Sequence, residues 1–269
     1  FHTHDTSGLN ASSIIEAALA GVDVADAAIS SLSGGTSQPN LNSIVAALAH
    51  SERDTGLDAD ALQEYSDYWA AVRAFYKPFD TSEPYGTAEV YLHEMPGGQY
   101  TNLKEQAWMC MSPRWPQIAR AYAEVNQLCG DIFKVTPSSK VVGDLAIECV
   151  ARGVKPADIF NLAGTKWSKD VTSMFEGWLG EPFYGMDSKK AADSRAKWDA
   201  LAAAIIGKDG QRISGRPGEH AEKVDLDNVR AELEAKLRRK PSEDDVWSYL
   251  MYPDVFLKYA EFRKKYGDV

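Results

Sequence analysis

Phe1-His2-Thr3-His4-Asp5-Thr6-Ser7-Gly8 opens the sequence and decides how the fold is interpreted. Successive side chains of an extended strand point to opposite faces, so His2 and His4 point the same way and both imidazoles can reach one metal ion. A divalent ion of the zinc or manganese type needs at least one or two further ligands. The pattern predicts part of a metal site, and we expect its other ligands upstream of Phe1 in a longer protein. The alternative is a pair of ordinary histidines at a strand end.

The first 50 residues show the alternation of strands and helices that builds a parallel sheet. A strand end, a helix stopped by glycine, a second strand, a Gly-rich loop and a second helix are predicted over residues 2–4, 10–20, 22–28, 33–39 and 41–49. Functional side chains at the carboxyl ends of strands are typical of (β/α)₈ barrels. We therefore predict that residues 1–50 are the last βα units of a TIM barrel.

From residue 51 to residue 269 the periodicity is helical, so the predicted fold class is α/β plus α, with a mainly helical domain after the barrel units. Large side chains recur every three or four residues on one helical face at Leu62, Tyr65, Trp69, Val72, Tyr76 and Phe79. Further helices are predicted over residues 116–129, 137–152, 168–179, 191–206, 226–238 and 242–266. Ser242 and Asp245 form a predicted capping box, and residues 208–219 a loop.

Composition limits the classes of function. The chain has 269 residues, of which 44% are hydrophobic, so it can bury a core, and it contains no run of 18 apolar residues. A formal charge of −10 argues against binding to phosphate backbones. We expect neither a membrane nor a nucleic-acid partner. Cys110, Cys129 and Cys149 are too few and too scattered for a disulfide framework, which favours a reducing compartment.

Three short segments allow more than one interpretation. The Gly-rich segment 33–39 is either an anion cradle or a simple connection between strand and helix. Segment 96–103, Pro-Gly-Gly-Gln-Tyr-Thr-Asn-Leu, predicts a tight turn leading into a helix. Thr136 and Pro137 predict the start of a helix with Thr136 as its N-cap.

Six segments together resemble the pyruvate carboxylase family in order and rough spacing. They are residues 2–8, 33–39, 96–103, 134–145, 215–218 and 251–256. The chain is similar to the second half of the family's carboxyltransferase region nearly end to end. The similarity weakens over residues 185–213, where an Ala- and Lys-rich helical stretch replaces the family's usual Gly- and Pro-rich sequence.

The resemblance implies a metal-dependent barrel followed by a helical funnel, in which carboxybiotin gives its carboxyl group to pyruvate to form oxaloacetate. His2 and His4 match the family's two histidine ligands of a divalent metal, which is zinc, manganese or cobalt. Thr136 matches the hydroxyl that moves a proton between pyruvate and biotin, and Ser139 matches a residue of the biotin pocket. The remaining family ligands, an Asp and a carbamylated Lys, and the Arg that binds pyruvate belong to the barrel half upstream of Phe1.

The resemblance also implies partners that lie outside the chain. These are a biotin carboxyl carrier domain, a biotin carboxylase domain and further copies in a homotetramer, in the bacterial cytoplasm or the mitochondrial matrix. Two other interpretations stay open at this point. The chain is then part of a related carboxyltransferase, the α subunit of oxaloacetate decarboxylase or a transcarboxylase, or it is an inactive scaffold fragment when isolated.

Overall fold

The computed structural model describes residues 1–80, 83, 85–111, 114–162, 164–185, 188–207 and 210–267, without the side chains of 108–111 and 188. The described residues are mostly helical. Their α-helices are α1 Asn10–Leu19, α2 Leu41–Leu48, α3 Ala59–Tyr76, α4 Val90–His93, α5 Gly97–Met111, α6 Trp115–Leu128, α7 Ser138–Arg152, α8 Lys169–Glu176, α9 Ser188–Ile206, α10 Pro217–His220, α11 Leu226–Leu237, α12 Glu243–Met251 and α13 Pro253–Tyr266. No helix among the described residues is long and apolar enough to cross a membrane.

The two predicted strands are wrong for the described part of the chain, which contains no β-strand and only an isolated parallel bridge between Ala28 and Asn40. The terminal amine of Phe1 donates to the Val24 carbonyl at 2.6 Å, and the Asp26 amide donates to the Phe1 carbonyl at 2.9 Å. These two hydrogen bonds follow the pattern of a parallel strand pair. A strand needs a continuous ladder of such bonds, and each of the two segments makes too few of them.

The helices predicted in the first 50 residues are confirmed as α1 and α2. Asn40 accepts a hydrogen bond from the Ser43 amide and so caps the start of α2. The two helices share a small core of buried side chains, which are Ile14, Ala18, Ile44 and Leu48. Beyond them, the apolar face predicted for α3 stays largely uncovered, since Tyr65 and Tyr76 are more than half exposed.

The main core is formed by α5 to α9 and holds most of the buried apolar side chains, among them Leu103, Tyr122, Leu145, Phe175 and Trp198. Helices α5 and α7 approach closely at Gly143, where a Cβ would lie 2.8 Å from a methyl carbon of Leu103 and 3.0 Å from the Gln99 amide nitrogen. The predicted helix over 191–206 is confirmed within α9. A well-packed helical body therefore stands beside the smaller N-terminal core.

The chain forms two compact units, residues 1–217 and 218–269. The second unit packs α11, α12 and α13 around Leu233, Val246 and Phe256. Its predicted capping box is confirmed, because the Ser242 and Asp245 side chains each bond the other's backbone amide. The helix predicted over residues 242–266 is interrupted at Tyr252, since proline at position 253 has no amide hydrogen and begins a new helix. The predicted domain boundary near residue 50 stays a prediction.

We predict that Gly130→Ala destabilises the chain more than Gly153→Ala. Both glycines have a positive φ, so both changes carry a left-handed penalty of about 1–2 kcal/mol. A Cβ on Gly130 would also overlap the Ser194 carbonyl oxygen in α9, whereas nothing lies within 4 Å of one on Gly153. Urea denaturation should show a further loss of about 1–3 kcal/mol for Gly130→Ala. Equal losses would contradict the close approach of the Gly130 backbone to Ser194 in α9.

Candidate functional site

His2 and His4 form a pair of adjacent imidazoles, as their predicted alternation requires. The ring centroids are 5.3 Å apart and the rings meet edge to face. His2 Nδ1 lies 2.8 Å from an Asp26 carboxylate oxygen, and His4 Nδ1 lies 2.6 Å from the Thr36 carbonyl oxygen. A carbonyl or an ionised carboxylate only accepts, so both Nδ1 atoms donate their hydrogens. In a neutral ring with this tautomer, Nε2 keeps the lone pair that a metal ion binds.

The turn after the histidines is fixed by hydrogen bonds to its neighbours. The Asp5 amide donates to the Ser37 carbonyl at 2.8 Å, and the Asp5 carboxylate accepts from the Asn10 amide at 3.0 Å. The Asn10 side chain in turn donates to the His4 carbonyl at 2.5 Å. In the Gly-rich segment 33–39 the Gly34 and Ser37 amides donate within the loop, which supports the interpretation of a connection. The histidine backbone is thus held from both sides.

Helix α5 packs directly on the His4 ring. A Cβ on Gly97, the first residue of α5, would lie 2.7 Å from His4 Cγ and 2.8 Å from His4 Nδ1. One turn further along α5, the Thr101 hydroxyl lies 2.8 Å from the Thr36 hydroxyl. The residue that holds His4 Nδ1 is therefore itself bound to α5. The predicted turn at residues 96–103 is in fact the start of a helix, and its glycine permits this close approach.

The two histidines fit a divalent metal as an incomplete ligand set. Both have the outer hydrogen-bond partners that orient metal-binding imidazoles, and Asp26 supplies the carboxylate that is common in this role. No group of three or more His, Cys, Asp or Glu side chains in the described part of the chain is arranged to hold a metal ion. A complete site needs at least one ligand from outside these residues.

Thr136 lies in an exposed turn before α7, and the prediction that it caps this helix is wrong. The helix begins at Ser138 with Pro137 in the N-cap position, and no side chain makes a capping bond. Instead the Ser138 hydroxyl donates to the Val135 carbonyl at 2.7 Å and closes the turn. Thr136 is an exposed residue, and its side chain makes no capping bond to α7.

Ser139 differs from Thr136 because it is buried in the first turn of α7. Its carbonyl accepts from the Tyr122 hydroxyl at 3.3 Å, which ties the start of α7 to α6. A groove of about 730 Å³ runs beside this turn between α7 and α8 and is lined by Pro137 and Lys140. The Lys140 ammonium lies 2.6 Å from the carboxylates of Asp144 and Asp170, so its positive charge is balanced by two ion pairs.

The structure connects the first four of the six segments singled out in the sequence. Segment 2–8 contacts 33–39 and 96–103, and Gln99 and Leu103 of the latter contact Gly143 in segment 134–145. The segment at 251–256 falls at the break between α12 and α13. Sequence reasoning missed Asp26 and Thr36, because an acid or a carbonyl that orients a distant histidine has no local signature.

Comparison with known proteins assigns the chain to a family. The model of the conserved carboxylase domain matches residues 90–269, about two thirds of the chain. The chain belongs to the conserved carboxylase domain family. The resemblance to pyruvate carboxylases is thereby confirmed.

Named relatives agree with this assignment. Pyruvate carboxylase 1 of Caenorhabditis elegans is 44% identical over 273 residues and pyruvate carboxylase of Staphylococcus aureus 38% over 271, in each case covering 100% of this chain. The chain spans only 22% of the length of these relatives.

A solved structure of the Rhizobium etli pyruvate carboxylase carboxyl transferase domain with pyruvate and biocytin matches with a TM-score of 0.86 and 46% identity, covering 100% of this chain and 44% of that one. This similarity and the mostly helical architecture fit a partial barrel followed by helices.

We predict that Asp26→Ala weakens metal binding by the histidine pair. Loss of the carboxylate frees the His2 ring to rotate and to change tautomer, which typically lowers metal affinity about 10–100-fold. Asp23→Ala is the matched control, since it removes an exposed acid three residues earlier in the same segment. Calorimetric titration of the chain with Co²⁺ at neutral pH compares the two. Equal affinities in the two variants would show that Asp26 does not orient His2.

Proposed function

We propose that the chain is part of the carboxyltransferase of a biotin-dependent pyruvate carboxylase, where it helps to transfer a carboxyl group from carboxybiotin to pyruvate and so forms oxaloacetate. The observation that carries the proposal is the oriented histidine pair, with each Nδ1 held by an acceptor and His4 packed on Gly97. The similarity to carboxyl transferase structures that contain pyruvate and biocytin supports the same conclusion.

His2 and His4 would hold the divalent metal through Nε2. A zinc, manganese or cobalt ion supplies positive charge near the pyruvate carbonyl oxygen and so favours loss of a methyl proton. The chain's own contribution is to orient the two imidazoles, because Asp26 and Thr36 accept the hydrogens of the two Nδ1 atoms and leave Nε2 for the metal. The remaining ligands are proposed to come from the other half of the barrel, as is the arginine that binds pyruvate.

Thr136 would move the proton that the transfer requires. Pyruvate loses a methyl hydrogen, its C3 carbon forms a bond to the carboxyl carbon, and the biotin nitrogen that releases the carboxyl group takes up a proton. A hydroxyl serves this exchange because it donates one hydrogen while accepting another. The exposed position of Thr136, without a capping bond, leaves both functions of its hydroxyl available.

Ser139 and the external partners complete the proposal. Ser139 would border the biotin ring from the first turn of α7, which requires access to a side chain that is buried here. Biotin would arrive on a carrier domain after ATP-dependent carboxylation by a separate biotin carboxylase domain, within a homotetramer. We place this enzyme in the bacterial cytoplasm or the mitochondrial matrix.

The alternatives have less support. The relatives named above are pyruvate carboxylases, which favours this enzyme over a decarboxylase α subunit or a transcarboxylase. The isolated chain is proposed to be inactive, because it brings two metal ligands where catalysis needs more. Assays of carboxyl transfer therefore belong in the complete enzyme.

We predict that Thr136→Ala lowers pyruvate carboxylation by about 10² to 10⁴-fold, since the proton-transfer hydroxyl is removed. Stability should change by less than about 0.5 kcal/mol, because the side chain is exposed and caps no helix. Steady-state turnover and thermal unfolding of the complete enzyme measure the two effects.

Thr136→Ser is the control for this change, because it keeps the hydroxyl and should retain most of the activity. ATP-dependent carboxylation of biotin should be unaffected by either substitution, since it takes place on another domain. Near wild-type carboxylation of pyruvate by Thr136→Ala would remove Thr136 from the mechanism.

A further inference from the structure

The proposed site combines groups from distant parts of the sequence, and one short segment contacts both. His4 lies in the N-terminal turn, whereas Thr136 lies in the turn before α7. Residues Glu94–Gly97, which we call the bridge segment, join α4 to α5. One end of the bridge segment contacts His4, and the other end contacts the loop that carries Thr136.

At its second end the bridge segment limits the position of the His4 ring. The Gly97 backbone is so close that a Cβ there would lie within 2.8 Å of His4 Cβ, Cγ and Nδ1. The ring cannot swing aside freely, because its Nδ1 is bound to the Thr36 carbonyl. Gly97 therefore acts as a wall against which His4 is seated, and any added side chain must displace the imidazole.

At its first end the bridge segment holds the Thr136 loop through Glu94. A Glu94 carboxylate oxygen accepts from the Asn126 side chain at 2.8 Å and lies 3.7 Å from the Lys134 ammonium. The same Asn126 nitrogen donates to the Asp131 carboxylate at 3.0 Å. Glu94 thus pairs directly with Lys134, two positions before Thr136, and is linked to Asp131 through Asn126.

The contacts of Glu94 are strengthened because its partners are buried. Asn126 is fully buried, and the Lys134 side chain is largely so. Burial lowers the pKa of Lys134, while the charge of Glu94 acts in the opposite sense and favours the ammonium form. Charged partners attract more strongly where water is excluded, and a buried cation that loses its partner is costly. Removing the Glu94 charge should therefore shift the loop that Lys134 belongs to.

The bridge segment itself has little freedom to deform. Met95 is 1% exposed and belongs to the main core. Its amide donates to Nδ1 of the buried His93 at 3.0 Å, and the His93 ring lies 5.1 Å from the Tyr100 ring in α5. Only Met95 and Pro96 separate Glu94 from Gly97, so the two ends are about 10 Å apart at most. A displacement at one end is consequently transmitted to the other.

We propose that Glu94 and Gly97 are positioning residues that set Thr136 and His4 relative to each other for carboxyl transfer. This inference rests on the proposed function. Neither residue touches the reacting atoms, and each acts through the group that it holds. The bridge segment then explains how the turn before α7 keeps a fixed position relative to the histidines near residue 1.

The first test is a double-mutant cycle in the complete enzyme. Glu94→Gln keeps the shape and removes the charge, and we expect it to lower kcat for pyruvate carboxylation about 10²-fold, the typical cost of a small misplacement. KM for pyruvate and metal content should stay close to wild type. In a Thr136→Ala background the same change should cost less than roughly twofold, because the misplaced hydroxyl is already absent. Glu89→Gln, an exposed acid five residues earlier, is the control and should leave kcat unchanged.

The second test uses Gly97→Ala with Gly98→Ala as its matched control, since nothing lies within 4 Å of a Cβ on Gly98. Gly97→Ala should weaken Co²⁺ binding to the metal-free enzyme about 10–100-fold and alter the visible absorption of the bound ion. Gly98→Ala should do neither. If Gly97→Ala fails to fold, the bridge segment is judged by the cycle at Glu94, and additive losses there would overturn the proposal as a whole.

The results separate this inference from the proposed function. An enzyme that does not carboxylate pyruvate, or whose Thr136→Ala variant is fully active, would contradict the proposed function. An active enzyme that needs Thr136 but shows additive losses for Glu94→Gln and Thr136→Ala would overturn the positioning role of Glu94 alone. Unchanged cobalt affinity and spectrum in folded Gly97→Ala would overturn that of Gly97.

Discussion

The contact between the Gly97 backbone and the His4 imidazole is the constraint on which the rest of the site depends. Any side chain at position 97 would occupy the space of the ring, so the start of α5 can lie there only as glycine. Helix α5 then continues into the main core and meets α7 at Gly143. Two close contacts therefore hold these elements together. Gly97 packs the start of α5 against the N-terminal turn, and Gly143 packs α7 against α5.

The division of labour between loops and helices follows from packing. The residues proposed to act, His2, His4 and Thr136, lie in turns or irregular segments, and these segments take their positions from helices that bury most of the apolar surface. The helical core around Tyr122 and Leu145 is large, while the core between α1 and α2 contains few side chains. The hydrogen bond between the Thr36 and Thr101 hydroxyls therefore fixes the N-terminal segment to α5, which belongs to the larger core.

Local patterns in the sequence predicted the local features well. Most helices, the capping box at Ser242 and the adjacency of His2 and His4 follow from periodicity and capping rules. The predictions of two strands were wrong because a strand is defined by its hydrogen-bonded partners, which sequence periodicity does not reveal. Thr136 was assigned as a cap for a helix that begins two residues later. The partners of the histidines and the reach of Glu94 are long-range contacts, and no short motif encodes them.

The proposed metal site requires that His2 and His4 bind one metal ion through their Nε2 atoms. Anomalous diffraction from crystals of the complete enzyme containing zinc tests this most directly, because it locates the metal independently of the protein atoms. We predict zinc bound to Nε2 of His2 and of His4, with the Nδ1 atoms still hydrogen-bonded to Asp26 and Thr36. Zinc bound through either Nδ1 atom, or at a position that leaves one of the two rings without metal, would contradict it.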